Sequence, residues 1–333
     1  MSNTIYILFG LCLAALLLMV FERRVYRLII YTGIFSLIMA GIYLFLGSPD
    51  VAMAEAAIGA FSVIFFIVVA EKYYRKYKKN RQLAAEGKEE KKHMEKPAKS
   101  FSWGNAIFGL LFVGGIAFLF LHFSPSMEAR EYTTYLRDQF LVNAGHDVGG
   151  QNVIGAILMG YRIYDTLFEA LLLVMAVTAV TQLSFFGDYA VKQGTQSVVK
   201  KDKVAFYSIR IISPLILIFG IYLIMNGHIS AGGGFQGGVA VAAFFVCRYL
   251  IHNIYDLPVK KILSMEEIVF FALAVFTVLT VFIAPAVLQY ETLRSETFQT
   301  IQLVSANALV GIKVACGFFV IFYRYIAVER TFE

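Results

Sequence analysis

Ionisable side chains stand inside apolar stretches of this chain at Asp50, Glu55, Asp165, Glu169 and Lys313. A charge at that depth in hydrocarbon must be paired, protonated or hydrated, so each position is a candidate for handling ions. Ser48-Pro49-Asp50 opens one apolar block with a capping serine, a proline suited to a first helical turn and an acid near the positive helix end. Asp50 therefore reads equally as a capping acid and as a functional one. Glu55 lies five residues further on, about 7 Å deeper along a helix, among Ala54, Ala56, Ala57 and Gly59. Small residues there let another helix approach, so Glu55 faces a partner helix or a wet cavity.

Arg162, Asp165 and Glu169 repeat the arrangement at spacing i, i+3, i+7, which lines one helical face. Arg162 and Asp165 are close enough to the block's edge for a local salt bridge, and Glu169 is a turn deeper. Two pairs of acids, Asp50 with Glu55 and Asp165 with Glu169, could relay protons or supply oxygen ligands to a hard cation such as sodium. Arg210 precedes Pro214 by one turn, which admits a kink with water access or simple snorkelling to the surface. Lys313 is too deep to snorkel and is either the fixed partner of a buried carboxylate or a titrating lysine. His228, beside Gly227 and close to Asn226, reads as an interfacial hydrogen-bonding residue before a proton carrier.

The elements that must position these groups are membrane helices. Hydrophobic residues make up 59% of the 333 and charged ones 16%, and the apolar residues fall in long blocks. Blocks of about 20 residues, the length that crosses a bilayer core, predict an all-α polytopic protein with nine spans: 4–22, 26–46, 50–70, 104–123, 162–184, 205–226, 234–254, 265–285 and 305–326. Arg23, Arg24 and Arg27, the segment Lys72–Lys99, Lys192 to Lys203, Arg248 to Lys261, and Arg324 with Arg330 all fall on one side if every block spans. The positive-inside rule then places the N-terminus outside and the C-terminus in the cytoplasm of a multi-pass inner-membrane protein. Ser264 with Glu267 reads as a capping box that starts the eighth span.

Composition shifts divide the chain into a three-helix module at 1–71, a basic cytoplasmic linker at 72–103 and a two-helix module at 104–186 with an outer loop at 124–159. A second linker at 187–203 and a four-helix module at 204–333 complete it. The linker is expected to be helical at its start, where it continues the third span, and the outer loop to pack on a neighbour or hold a short surface helix.

Several chemistries are excluded. The net charge of +6 sits between apolar blocks, where membrane orientation explains it, so no nucleic-acid partner is expected. Cys12, Cys247 and Cys316 form no CxxC or Cys/His pattern, so no metal or cluster is expected in the chain, and redox chemistry would belong to a partner. Gly232-Gly233-Gly234-Phe235-Gln236-Gly237-Gly238 lacks the Lys-Ser/Thr of a phosphate loop. Gly234, Gly238 and Ala242, at i, i+4 and i+8, form instead a ridge of small residues for close helix packing. No catalytic residue is encoded, and no cofactor is expected beyond transported sodium and protons.

The run Gly47-Ser48-Pro49-Asp50-Val51-Ala52-Met53-Ala54-Glu55-Ala56-Ala57-Ile58-Gly59 resembles the G-A-P-D-V-A-x-T-E-A-x-x-G motif in the carboxy-terminal region of the large Mrp antiporter subunit and of its counterparts in membrane-bound hydrogenases. Arg162 to Glu169 resembles that region's next motif, F-R-G-F-D-T-L-G-E, with Ile163 and Phe168 in place of glycines. Gly227 to Gly238 is similar to the signature of the MrpB (MnhB) subunit, with Ala231 where proline is usual. In the Mrp family the first two motifs follow a large antiporter-like domain, and here they do not, which leads us to expect a fusion of three small subunits resembling MbhD, MbhE and MrpB.

The resemblance implies an ion-translocating subunit of a sodium/proton antiporter module within a redox-driven complex of the membrane-bound hydrogenase or ferredoxin-linked type. Glu55 and Glu169 would lie on or beside the ion path, with Asp50, Asp165 and Lys313 as weaker carry-overs. Implied partners are other Mrp-like membrane subunits and nickel-iron hydrogenase-like and iron-sulfur subunits, besides the lipid bilayer. A free-standing Mrp antiporter subunit and a scaffold whose buried charges only hold helices together are the alternatives. Scaffold pairs would be dry and mutually bonded, whereas carriers need water access. A solitary transporter would call for inverted repeats, which the chain lacks.

Overall fold

A computed structural model describes residues 2–22, 24–85, 107, 109–118, 122, 135–183, 203–251, 259–283 and 296–327, and every regular element among them is helical. The chain forms two compact units, Met1–Thr133 and Thr134–Glu333.

The first unit contains α1 (Ser2–Phe21), α2 (Val25–Phe45), α3 (Pro49–Ala85) and a short apolar α4 (Gly109–Phe118). Glu22 shapes the α1–α2 joint: its Oε1 accepts from the Arg24 amide at 2.9 Å and its Oε2 from Arg27 Nη1 at 3.3 Å. At the other end of α2, Gly47 takes φ +75°, a left-handed conformation glycine adopts without steric penalty. The Ser48 amide then returns to the Tyr43 carbonyl at 2.9 Å, and Pro49 opens α3 in the first-turn position where its missing N–H is harmless. α3 continues past its apolar span to Ala85, so the basic linker begins as helix, and the rest of the linker lies outside the described residues. α1 packs on α2 and α2 on α3, with Gly33 against Val63 and Gly59 against Ser36 bringing the second pair close.

The second unit begins with α5 (Tyr135–Val148) inside the expected outer loop, then α6 (Val153–Ala156) and a wide π turn at Ile157–Tyr161. The Tyr161 hydroxyl donates to Asp147 Oδ2 at 2.9 Å, and burial together with that carboxylate pushes the phenol pKa up to about 12. α7 (Ile163–Leu183), α8 (Lys203–Asn226), α9 (Gly234–Ile251), α10 (Val259–Val278, continued by a π turn at Leu279–Ile283) and α11 (Glu296–Ala327) complete the unit. The core sits around α11, which packs against α7, α8, α9 and α10 and has 61% of its apolar span buried, against 22% or less for every other span-length helix. Pro214 lies inside α8 and brings no amide hydrogen to the Arg210 carbonyl one turn back.

Among the described residues seven helices, α1, α2, α3, α7, α8, α10 and α11, are long and apolar enough to cross a membrane. At the positions of the other two expected spans stand the shorter apolar helices Gly109–Phe118 and Gly234–Arg248, and part of 104–123 lies outside the described residues. The protein is therefore a multi-pass, all-helical membrane protein. The two-helix module expected over 104–186 is divided, since α4 falls in the first unit and α7 in the second.

The capping box is corrected. α10 begins at Val259, so Ser264 lies in its second turn and both Ser264 and Glu267 are exposed helix-interior residues. The start was misplaced because Lys260 and Lys261, polar and outside the apolar block, are helical all the same.

Candidate functional site

In the first unit Asp50 occupies the first turn of α3 and is only 5% exposed. Glu55 follows on the same helix, half-buried, where α2 crosses closely over Gly59. Ser36 on α2 donates its hydroxyl to Glu55 Oε1 at 2.7 Å, and the same oxygen lies 3.1 Å from the Glu55 backbone carbonyl. Ser36 is one small polar residue in an apolar span, and nothing local in the sequence marks which helix it will face.

In the second unit Arg162 closes the wide π turn with φ −121° and ψ 34°, just before α7 begins. The three-residue face expected from i, i+3, i+7 spacing therefore keeps Asp165 and Glu169 on the helix, with Arg162 at its mouth. Arg162 pairs with Asp165, and both side chains are exposed. Glu169 is exposed one turn deeper, beside the stripe of Ile163, Thr166, Ala170 and Val177 that α7 buries. Glu55 and Glu169 belong to different units. Arg210 is also exposed, on α8.

Lys313 is in the most enclosed place of all. It is 0% exposed near the middle of α11, paired with Glu266 of α10 at 1% exposure, and its Nζ lies 5.8 Å from the Phe270 ring. The ammonium and the carboxylate answer one another in a closed contact, with the Phe270 ring and the Cys316 thiol nearby. Glu266 was missed from the sequence. The adjacent acids Glu266 and Glu267 were a usable signal, because neighbours on a helix point about 100° apart and only one of them can turn into a core.

The glycine-rich segment forms a tight joint between α8 and α9. Gly232 and Gly233 take φ +152° and +141°, and the Gly233 amide bonds back to the Leu223 carbonyl at 3.1 Å. The first amide of α9, Gly234 N, donates to Asn307 Oδ1 of α11 at 2.9 Å, which caps the helix from across the unit. Gly234 and Gly238 lie directly on α11, Gly237 lies on α8, and Ala242 is fully buried further along α9. Asn152 fastens the joint from the α6 side, donating Nδ2 to the Gly227 and Ser230 carbonyls at 3.0 Å each while its Oδ1 caps Ile154 N at 3.1 Å. His228 takes part through its backbone carbonyl, which accepts from the Asn152 amide at 3.0 Å, and its ring Nδ1 is buried. The chemistry available is thus of two kinds: carboxylates at Glu55 and Glu169 outside any ion pair among the described residues, and one closed pair.

Residues 10–75 match the MbhD family, named for a component of MBH, and residues 204–328 match a domain related to the MnhB subunit of Na+/H+ antiporter. The chain is 25% identical over 170 residues to a Staphylococcus haemolyticus protein named as antiporter subunit mnhA2, covering 51% of this chain and 19% of that one. It spans less than half the length of the curated relatives it matches. Its fold resembles a chain in the structure of the Mrp complex from Dietzia sp., with a TM-score of 0.68 at 19% identity over 98% of this chain and 35% of that one. It also resembles a chain of the membrane-bound sulfane sulfur reductase, an archaeal respiratory membrane complex, with a TM-score of 0.50 at 20% identity over 67% of this chain and 98% of that one. The two matched regions contain both the Asp50–Glu55 run and the glycine joint, so the chain joins a region that matches MbhD to a domain related to the MnhB subunit of Na+/H+ antiporter.

Proposed function

We propose that this protein is an ion-translocating subunit of a Mrp-type sodium/proton antiporter module built into a redox-driven membrane complex. The reading rests on one contrast: Glu55 and Glu169 stand in span-length helices outside any ion pair among the described residues, whereas Lys313 is closed onto Glu266. A carboxylate that is half-buried or exposed within a span is stable only when protonated, hydrated or covered by a partner subunit, which are the conditions under which it exchanges a proton or a cation. Asp50 and Asp165, one turn nearer their helix starts, extend the two acid positions toward the surface. Other Mrp-like membrane subunits, with hydrogenase-like and iron-sulfur subunits as the source of energy, are the proposed partners.

Glu55→Gln and Glu169→Gln keep size and hydrogen bonding while removing the titratable charge. Each variant is expected to assemble on native gels and to lose most sodium-dependent proton movement in inverted vesicles. Intact variants with normal ion movement would take both acids off the path. Asp50→Asn is expected to be milder, because it keeps the size of the side chain in the first turn of α3 and weakens its favourable interaction with the helix dipole, about 0.3–1 kcal/mol.

The scaffold reading has its own support in the Lys313–Glu266 pair, which is buried and mutually bonded. It is distinguished by the Gln variants, which leave that pair intact: a scaffold would assemble and keep normal ion movement in both. For orientation we propose the N-terminus outside and the C-terminus in the cytoplasm. Single cysteines placed in the 72–99 segment are expected to resist an impermeant thiol reagent in sealed cells and to react after the membrane is opened, and labelling from outside would overturn that topology.

A further inference from the structure

Ser36 is 7% exposed on α2, and its one hydroxyl hydrogen faces two acceptors of the same residue: Glu55 Oε1 at 2.7 Å and the Glu55 carbonyl oxygen at 3.1 Å. A hydroxyl has a single hydrogen to give, so the two acceptors compete for it. The site is built for that hydroxyl. Gly59, one turn beyond Glu55 on α3, leaves open the space in which a Cβ would collide with Ser36 Oγ and sit 2.7 Å from Ser36 Cβ.

We propose that Ser36 is a positioning residue for Glu55, donating to the carboxylate while it is in place and turning to the Glu55 backbone carbonyl when the carboxylate leaves to take a cation. This rests on Glu55 belonging to the ion path. The physical reason for a hydroxyl at this place is that a buried donor left without an acceptor opposes any movement of the group it served. With the carbonyl waiting beside it, Ser36 holds the carboxylate at rest without tethering it. The hydroxyl also fixes which rotamer the carboxylate returns to, since α2 offers it this donor at one position along α3.

The test uses the assembled complex in inverted vesicles, with sodium chloride as the titrated probe and proton movement as the readout. Ser36→Ala is expected to assemble and to lower the half-saturating sodium concentration about tenfold, because the resting carboxylate loses a charge-assisted hydrogen bond and the cation-bound state loses only the weaker one to the carbonyl. Ser36→Thr, which retains the hydroxyl, is expected to return the sodium dependence most of the way to the parent value. In a Glu55→Gln background, Ser36→Ala is expected to add nothing. Three results overturn the proposal: an unchanged or raised half-saturating sodium concentration in Ser36→Ala, loss of assembly in Ser36→Ala, which would make Ser36 a packing contact only, or a shift of the same size in the Glu55→Gln background. Normal transport by Glu55→Gln alone would instead remove the ion-path reading, so the two failures are told apart.

Discussion

Replacing Lys313 by methionine is expected to destabilise the second unit more than any other single change in a charged residue. The lysine is fully buried, and its removal leaves Glu266, at 1% exposure, as a carboxylate enclosed between α10 and α11 without its counter-charge. Breaking one side of a buried pair costs about 3–5 kcal/mol, because the stranded charge retains its desolvation penalty and loses the attraction that offset it. The measurement is the thermal midpoint of the purified complex together with the amount of chain recovered from membranes. Glu266→Leu is expected to do comparable harm, and the combination of Lys313→Met with Glu266→Leu is expected to recover most of the loss, since an apolar pair of similar volume needs no counter-charge. A Lys313→Met protein as stable as the parent would mean that the pair is not the closed contact described. The double variant also separates holding from carrying: if it assembles and still moves ions, the pair serves architecture alone.

The second large effect is expected at the α9–α11 contact. A Cβ added at Gly238 would lie 2.6 Å from the Gly311 carbonyl oxygen and 2.8 Å from Val314 Cβ, and one at Gly234 would collide with the Asn307 carbonyl and lie 2.8 Å from Val310 Cβ. Most of those neighbours are backbone or branch-point atoms, which no change of rotamer moves aside. Gly238→Ala should force the helices apart at about 1–3 kcal/mol, and Gly234→Ala should in addition displace the amide that Asn307 caps. Gly41→Ala is the internal comparison, because nothing lies within 4 Å of the position its Cβ would take. There alanine is expected to be neutral or to stabilise α2 by about 0.5–1 kcal/mol, through the smaller entropy lost on forming helix. Thermal midpoints of the three variants check the opposite signs, and equal losses at Gly41 and Gly238 would show that helix propensity, and not close packing, governs both.

Much of the architecture was legible because it is written locally. Hydropathy over about 20 residues marks a membrane helix wherever it later packs, so seven of the expected spans recur as helices of span length. The proline and acid that open α3, and the glycines that let α9 approach its neighbours, are likewise properties of adjacent or helically spaced residues. Where the local signal was polarity, it misled: α10 and α11 begin at Val259 and Glu296, earlier than the apolar blocks at 265 and 305, because helical hydrogen bonds do not stop where hydrocarbon does. The sequence by itself also placed Lys313 deep enough to demand an answering group. Only the tertiary structure decided that the answer is Glu266, 47 residues away, that Ser36 reaches Glu55 across 19, and that Asn307 caps Gly234 across 73. Those partners come from which helix lies beside which and at what rotation, and that choice depends on the summed packing of every face, which no local spacing contains.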